Sequence, residues 1–156
     1  MLLLSLFACA LHAVHTGLVA VDGNRAVSTS YNGQKIPLIL EGEHLLILGL
    51  NGCVVEVEGV RTPAGLLVSD WSVKDAGDGT GGFVGQLRAY GNRLLIEDRN
   101  TGSVLALDDV ATLQLRPYAG RPVLVVGAVV GAGVISVVAW RLLDRESDGA
   151  SAPPGE

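Results

Sequence analysis

The chain repeats itself at an interval of 68 residues. Gly17, Gly23, Asn24, Arg25, Asn32, Leu45, Gly52, Val55, Val57, Gly59, Ala64 and Gly65 return as Gly85, Gly91, Asn92, Arg93, Asn100, Leu113, Gly120, Val123, Val125, Gly127, Ala132 and Gly133. With one residue inserted, Trp71 and Asp75 correspond to Trp140 and Asp144. An internal repeat constrains every local assignment, because an element given to one copy has to suit the other.

A unit of roughly 65 residues sits near the lower limit for independent folding, since small domains bury a small fraction of their surface. Two such units are expected to lean on each other. With 21 glycines, abundant Val and Leu and only 4% aromatic residues, the 156-residue chain suits short strands and tight turns. The balance of 11 basic and 16 acidic residues leaves a net charge of -5. Lys35 and Lys74 are the only lysines and the arginines are scattered, which weighs against a phosphate-backbone partner.

Residues 2–8 form an apolar run that ends at Cys9. The run resembles the end of a bacterial export signal, and Leu6-Phe7-Ala8-Cys9 resembles a lipoprotein cleavage box. Phe7 is an unusual occupant of such a box, and a basic leading region is missing. Residues 1–13 are therefore expected to be an export or lipoprotein signal-like segment, with Cys9 as the lipid attachment point. The expected location is exported, either periplasmic or membrane-anchored. The alternative is an apolar N-terminal element that stays in the mature chain. Cys53 stands where the second copy has Arg121, so a thiol is not part of the shared design. It is expected to be a buried small hydrophobe, with a Cys9–Cys53 bridge as the lesser alternative. Residues 145–156 combine Ser, Gly, Pro and acidic side chains and read as a disordered tail.

Pro122 to Trp140 is uncharged over 19 residues, long enough for a spanning helix. The equivalent stretch of the first copy contains Glu56, Glu58, Arg61 and Asp70 and cannot span a bilayer. There Val55-Glu56-Val57-Glu58 alternates like a half-buried strand, Gly59 is read as its end, and Pro63-Ala64-Gly65 as a turn. The later copy keeps Val123, Val125 and the turn glycines, so a β-hairpin is expected over 122–140. Leu124 and Val126 replace outward Glu56 and Glu58. They are expected to face the other repeat or, failing that, a partner or a membrane surface.

Each copy reads as three strands, a short helix and two strands. In the first, strands fall near Leu18–Asp22, Ala26–Tyr31, Lys35–Leu40, Cys53–Glu58 and Leu66–Val73, with the helix at residues 45–48. In the second, Asp108-Asp109 offers an N-cap before residues 110–115. The order resembles the OB-fold, a five-stranded barrel with a helix between strands three and four. Gly-x-x-Val-x-Val-x-Gly at 52–59 and 120–127 resembles a strand-four signature of small bacterial envelope OB domains. The expected fold is all-β, two tandem OB-fold-like five-stranded barrels, with repeat 1 at 14–75, a linker at 76–83 and repeat 2 at 84–144. A β-sandwich or an SH3-like barrel are the structural alternatives.

No pattern of catalytic, cofactor-binding or metal-ligating residues stands out. His12, His15 and His44 share no ligand spacing with Cys9 or Cys53, and the Asp75–Gly82 loop lacks the alternating carboxylates of a calcium loop. Trp71 and Trp140 are read as core plugs, or as stacking faces for a ligand. The expectation is a non-enzymatic binding or structural module of the bacterial envelope. Protein or glycan partners would meet its loops or a candidate interface of Leu124, Val126, Trp71 and Trp140. A membrane contact would run through a lipid on Cys9. The alternatives are a bitopic protein spanning at 122–140 and an oligonucleotide-binding OB protein, the latter disfavoured by charge.

Overall fold

A computed structural model describes residues 11–144. Cys9, most of the leader-like segment and the tail 145–156 lie outside the described residues. The first copy contains β1 (His12–Asp22), β2 (Arg25–Thr29), β3 (Lys35–Ile39), a 3-10 helix (Gly42–Gly49), β4 (Val54–Thr62) and β5 (Gly65–Asp75). The second contains β6 (Gly82–Tyr90), β7 (Arg93–Glu97), β8 (Val104–Leu107), α1 (Asp109–Leu115), a short 3-10 turn (Arg116–Tyr118), β9 (Pro122–Val130) and β10 (Val134–Leu142).

In the first copy the strands pair in the order β1-β2-β3-β5-β4 and back to β1, a closed ring; the second follows the same plan as β6-β7-β8-β10-β9. All pairs are antiparallel except β3 with β5 and β8 with β10. Those parallel seams hold two residue pairs each, Leu38↔Leu66 with Ile39↔Leu67, and Ala106↔Val134 with Leu107↔Ile135. A parallel return needs a crossover, and in each copy a short helix and one long strand supply it. Each copy is thus a ring of five strands closed through a two-pair seam, with a short helix between its third and fourth strands; the OB-fold name expected above goes beyond this pairing and is not kept.

Other expectations are corrected in detail. The first strand begins at His12, inside the segment assigned to a leader and well before Leu18. It extends because β4 is long enough to pair with it from His12↔Val60 to Leu18↔Val54, while His15, Gly17 and Val19 turn inward. Gly59 does not end its strand. It lies within β4 beside a register shift, where a Cβ would run into the Leu67 carbonyl across the hairpin. Gly127 meets Ser136 in the same way. These glycines let two backbones approach closely where the strand bends. The two hairpin turns differ by one residue, β4 and β5 being joined across Pro63-Ala64 and β9 and β10 across Gly131-Ala132-Gly133. Residues 122–140 form β9 and most of β10, which overturns the bitopic alternative. No helix among the described residues is long and apolar enough to cross a membrane.

The repeat-shared valines fill equivalent core positions: Val55 and Val57 in the first ring, Val123 and Val125 in the second, all fully buried. Asp108 caps α1, accepting the Ala111 N–H at 2.9 Å and, from β10, the Val137 N–H at 2.7 Å. These bonds to the charged form hold its carboxyl below the usual range.

One buried polar group gives the first ring a pH dependence. His15 is 6% exposed, and among the described residues its Nε2 has no hydrogen-bond partner. Burial pushes its pKa below the ordinary 6.5, a hydrogen bond with the Ser28 backbone opposes this, and the charge of Arg61 adds to it. The unfolded chain therefore takes up a proton at His15 more readily than the folded one. Stability contributed by neutral His15 is complete above pH 6.5 and is lost as pH falls below that value toward the folded pKa. Urea unfolding between pH 7.5 and 5 is expected to show this decline, and His15→Val to flatten it. An unchanged slope in the variant would refute the assignment.

Candidate functional site

The site follows from the geometry of the helix that caps the first ring. A 3-10 helix has three residues per turn, so side chains three apart share a face. Ile47 and Leu50 share the inner face and are fully buried in the first core, each contributing about 1.5–3 kcal/mol of burial. The remaining leucines of Leu45-Leu46-Ile47-Leu48 cannot follow them inside. Leu46 and Leu48 are half-buried, and Leu45 is 50% exposed.

These leftover leucines meet the second copy. Leu143, just past β10, is 3% exposed and belongs to the first core rather than to its own. It reaches there because Gly49 has no side chain. A Cβ on Gly49 would lie 2.8 Å from Leu143 Cδ2 and 3.1 Å from its Cα. Leu40, Leu45, Leu46, Leu48 and Leu143 thus wall a groove of about 710 Å³, with Asn24, Glu43 and Asp144 along its rim. A second hollow of about 320 Å³ continues it past Glu43 and Leu46 to Val84, Arg99 and Pro122.

The rim is held by two arginines. Arg99 donates to Asp70 at 3.0 Å and to Glu43 at 3.4 Å, with its guanidinium 4.5 Å from the Trp71 ring centre. Arg121 forms a two-point pair with Asp144 at 2.7 and 2.8 Å. Beside Arg99, the Asn100 amide behaves like a strand residue. Its Oδ1 accepts the Val73 N–H at 3.1 Å, and its Nδ2 donates to the Val73 carbonyl at 3.2 Å. The groove floor therefore spans two copies that are joined by packing, ion pairs and peptide-like hydrogen bonds.

The four residues expected to form an interface take different places. Leu124 is 1% exposed within the first core, and Val126 packs half-buried against the same cluster. That face joins the two copies. Trp71 is buried under Arg99. Trp140 is half-buried, tilted against Tyr118 at 5.8 Å, and its indole N–H donates to Gln114 at 3.2 Å. Trp71 presents no open stacking face, while Trp140, partly covered by Tyr118, borders a separate hollow of about 390 Å³. Cys53 is fully buried, 2.9 Å from Arg141 Nη2, and burial pushes its thiol up while Arg141 opposes the shift. Cys9, and with it lipid attachment or a bridge to Cys53, lies outside the described residues.

The remaining polar candidates are occupied structurally. Asp75 accepts the N–H groups of Gly77 and Gly79, and Asp78 that of Thr80, so the linker carboxylates close turns. Among the described residues no cluster of His, Cys, Asp and Glu is placed to hold a metal. Ser69 donates to the Glu58 carbonyl, and Asp70 is taken by Arg99. Sequence reasoning missed the groove itself. The available signal was an apolar run longer than one face of a short helix can bury.

Comparison with protein-family models, curated proteins and solved structures finds no match. The resemblance to envelope OB domains thus has no family to stand on and is dropped, together with the module that was to bind through OB-type barrel loops.

The two repeat-related asparagines separate the junction from a local turn. Among the described residues Asn32 bonds within its own turn, to Ser30 and Gln34. Asn100→Ala is expected to destabilise the protein by about 1–3 kcal/mol, because it leaves the Val73 peptide unpaired at the junction, and Asn32→Ala by less than about 1 kcal/mol. Thermal unfolding of both variants checks this; equal losses would show that Asn100 does not join the copies.

Proposed function

We propose that the protein is a non-enzymatic binding protein whose junction groove receives an apolar side chain or short amphipathic segment of a protein partner. The observation that carries this reading is the leucine-walled groove of about 710 Å³ between the two copies. Its size falls within the usual range for ligand sites, and junctions between domains are favoured places for them. Its walls argue for peptide over glycan, since sugars are held against aromatic faces and none of the described residues lining the groove is aromatic. Glu43 and Asp144 on the rim are already paired with Arg99 and Arg121, so the leucine walls rather than charge select the partner. The apolar run 2–8 ahead of Cys9 supports an exported protein held at a membrane surface.

Leu45 is the residue on which to test this, because it is half exposed and lies outside both cores. Selection from a displayed peptide library is expected to enrich segments with a Leu, Ile or Phe anchor. Leu45→Asp should weaken those peptides at least about tenfold, a change on the order of 1.4 kcal/mol, with the melting temperature unchanged. Peptides that bind the variant as tightly as the parent would place recognition elsewhere. Enrichment of nothing but polar peptides would end the reading.

A further inference from the structure

We infer that the end of the first ring opposite the groove is a docking surface for an anionic lipid bilayer. Three segments meet at that end. β1 starts there, and the Arg61 N–H donates to the Leu11 carbonyl at 3.2 Å. The β2–β3 turn brings Tyr31 and Lys35, and the β4–β5 turn brings Arg61 and Pro63. Lys35 and Arg61 border one hollow of about 230 Å³, with Gln34, Pro37 and Thr62 between them. Both cations are exposed, and among the described residues no ion pair engages either.

Charge, aromatic placement and chain path agree on the occupant. None of residues 30–37 or 60–66 is acidic, in a chain whose net charge is -5. The closest carboxylate along β4 is Glu58, about 10 Å down the strand from Arg61 and 3.6 Å from His12. That separation is roughly one Debye length at physiological salt, so the cations dominate the field at a surface laid against this end. Tyr31 is fully exposed and Leu11 is 70% exposed, the pairing of an amphipathic ring with an apolar neighbour that suits a headgroup layer. The chain enters this end from the apolar residues 2–8 and Cys9, two positions before Leu11. Leu11, at the start of the described residues, lies against Arg61, so the sequence that carries the apolar run and Cys9 joins the fold at the basic end.

The repeat supplies an internal control. The second copy has Ser103 for Lys35, Val129 for Arg61, and for Tyr31 an Arg99 that is turned into the junction. The basic end is thus an individual property of the first copy and not a by-product of the shared fold. β1 spans roughly 30 Å from this end to the Gly23-Asn24 turn, and Asn24 borders the groove. Seated on a bilayer, the protein holds its groove away from the surface.

The test uses the full chain and compares its partitioning into neutral vesicles with that into vesicles containing about a third anionic lipid. The apolar run contributes equally to both, so the anionic-to-neutral ratio isolates the charged surface. Lys35→Gln with Arg61→Gln is expected to lower that ratio about 30-fold, from about five-fold for each cation near the surface. Arg25→Gln with Arg93→Gln, an equal change in net charge away from this end, is expected to leave it within about two-fold. Tyr31→Ala should lower partitioning into both kinds of vesicle. Melting temperatures of all variants should match the parent. An unchanged ratio in the first pair, or an equal fall in the second, overturns the proposal. So does loss of the Lys35/Arg61 effect in millimolar inorganic phosphate, which would mark a soluble-anion site. Peptide binding at the groove is read separately, so failure of either reading leaves the other standing.

Discussion

Close backbone approach inside the β4–β5 hairpin, and its copy in β9–β10, is the constraint on which the architecture rests. A ring of five strands has a tight radius, and its longest strands must bend to serve two neighbours. Gly59 and Gly127 sit at those bends, where a side chain would collide with the carbonyl of the facing strand. The register shifts beside Gly59 and between Val137 and Ala139 absorb the extra residue that such bending requires. With the hairpin bent, the last strand of each copy reaches back to the third and closes the ring through two residue pairs.

A seam that short leaves one end of the ring to be covered by its helix, and the two copies solve this differently. The second uses an α-helix capped by Asp108. The first uses a 3-10 helix, whose three-residue turn commits Ile47 and Leu50 to the core and leaves the other leucines at the edge. Those leucines become useful only because Leu143 from the second copy packs beside Gly49. The groove is a consequence of joining two near-identical rings whose caps differ. Neither copy would form it alone.

Much of the fold was legible from the repeat. The turn glycines, the alternating valines and the Asp108 cap each express a local rule, and local rules survive in either copy. The same reasoning removed the apparent spanning helix at 122–140, which its hydropathy alone supports. Other features were hidden because they depend on who the neighbour is. His12 joins β1 because β4 extends far enough to pair with it. Gly59 looks like a strand end in one dimension and is a bend in three. Asn32 and Asn100 are the same repeat residue, yet one closes a turn and the other binds the Val73 peptide of the other copy. The groove was the least visible feature, since its walls come from residues about 100 positions apart.

The sequence by itself determined the duplication, the strand-rich composition, the turn positions and the inward valines, because periodicity and turn chemistry act over a few residues. It also marked where the copies differ at Cys53, Leu124 and Val126. The tertiary structure decided what each difference means. It buried Leu124 against the first core, set Cys53 beside Arg141, left Lys35 and Arg61 together at an open end, and assembled the groove at the other. The physical reason is that burial and exposure belong to pairs of surfaces, and the pairing of two rings is settled by long-range packing that no local pattern encodes.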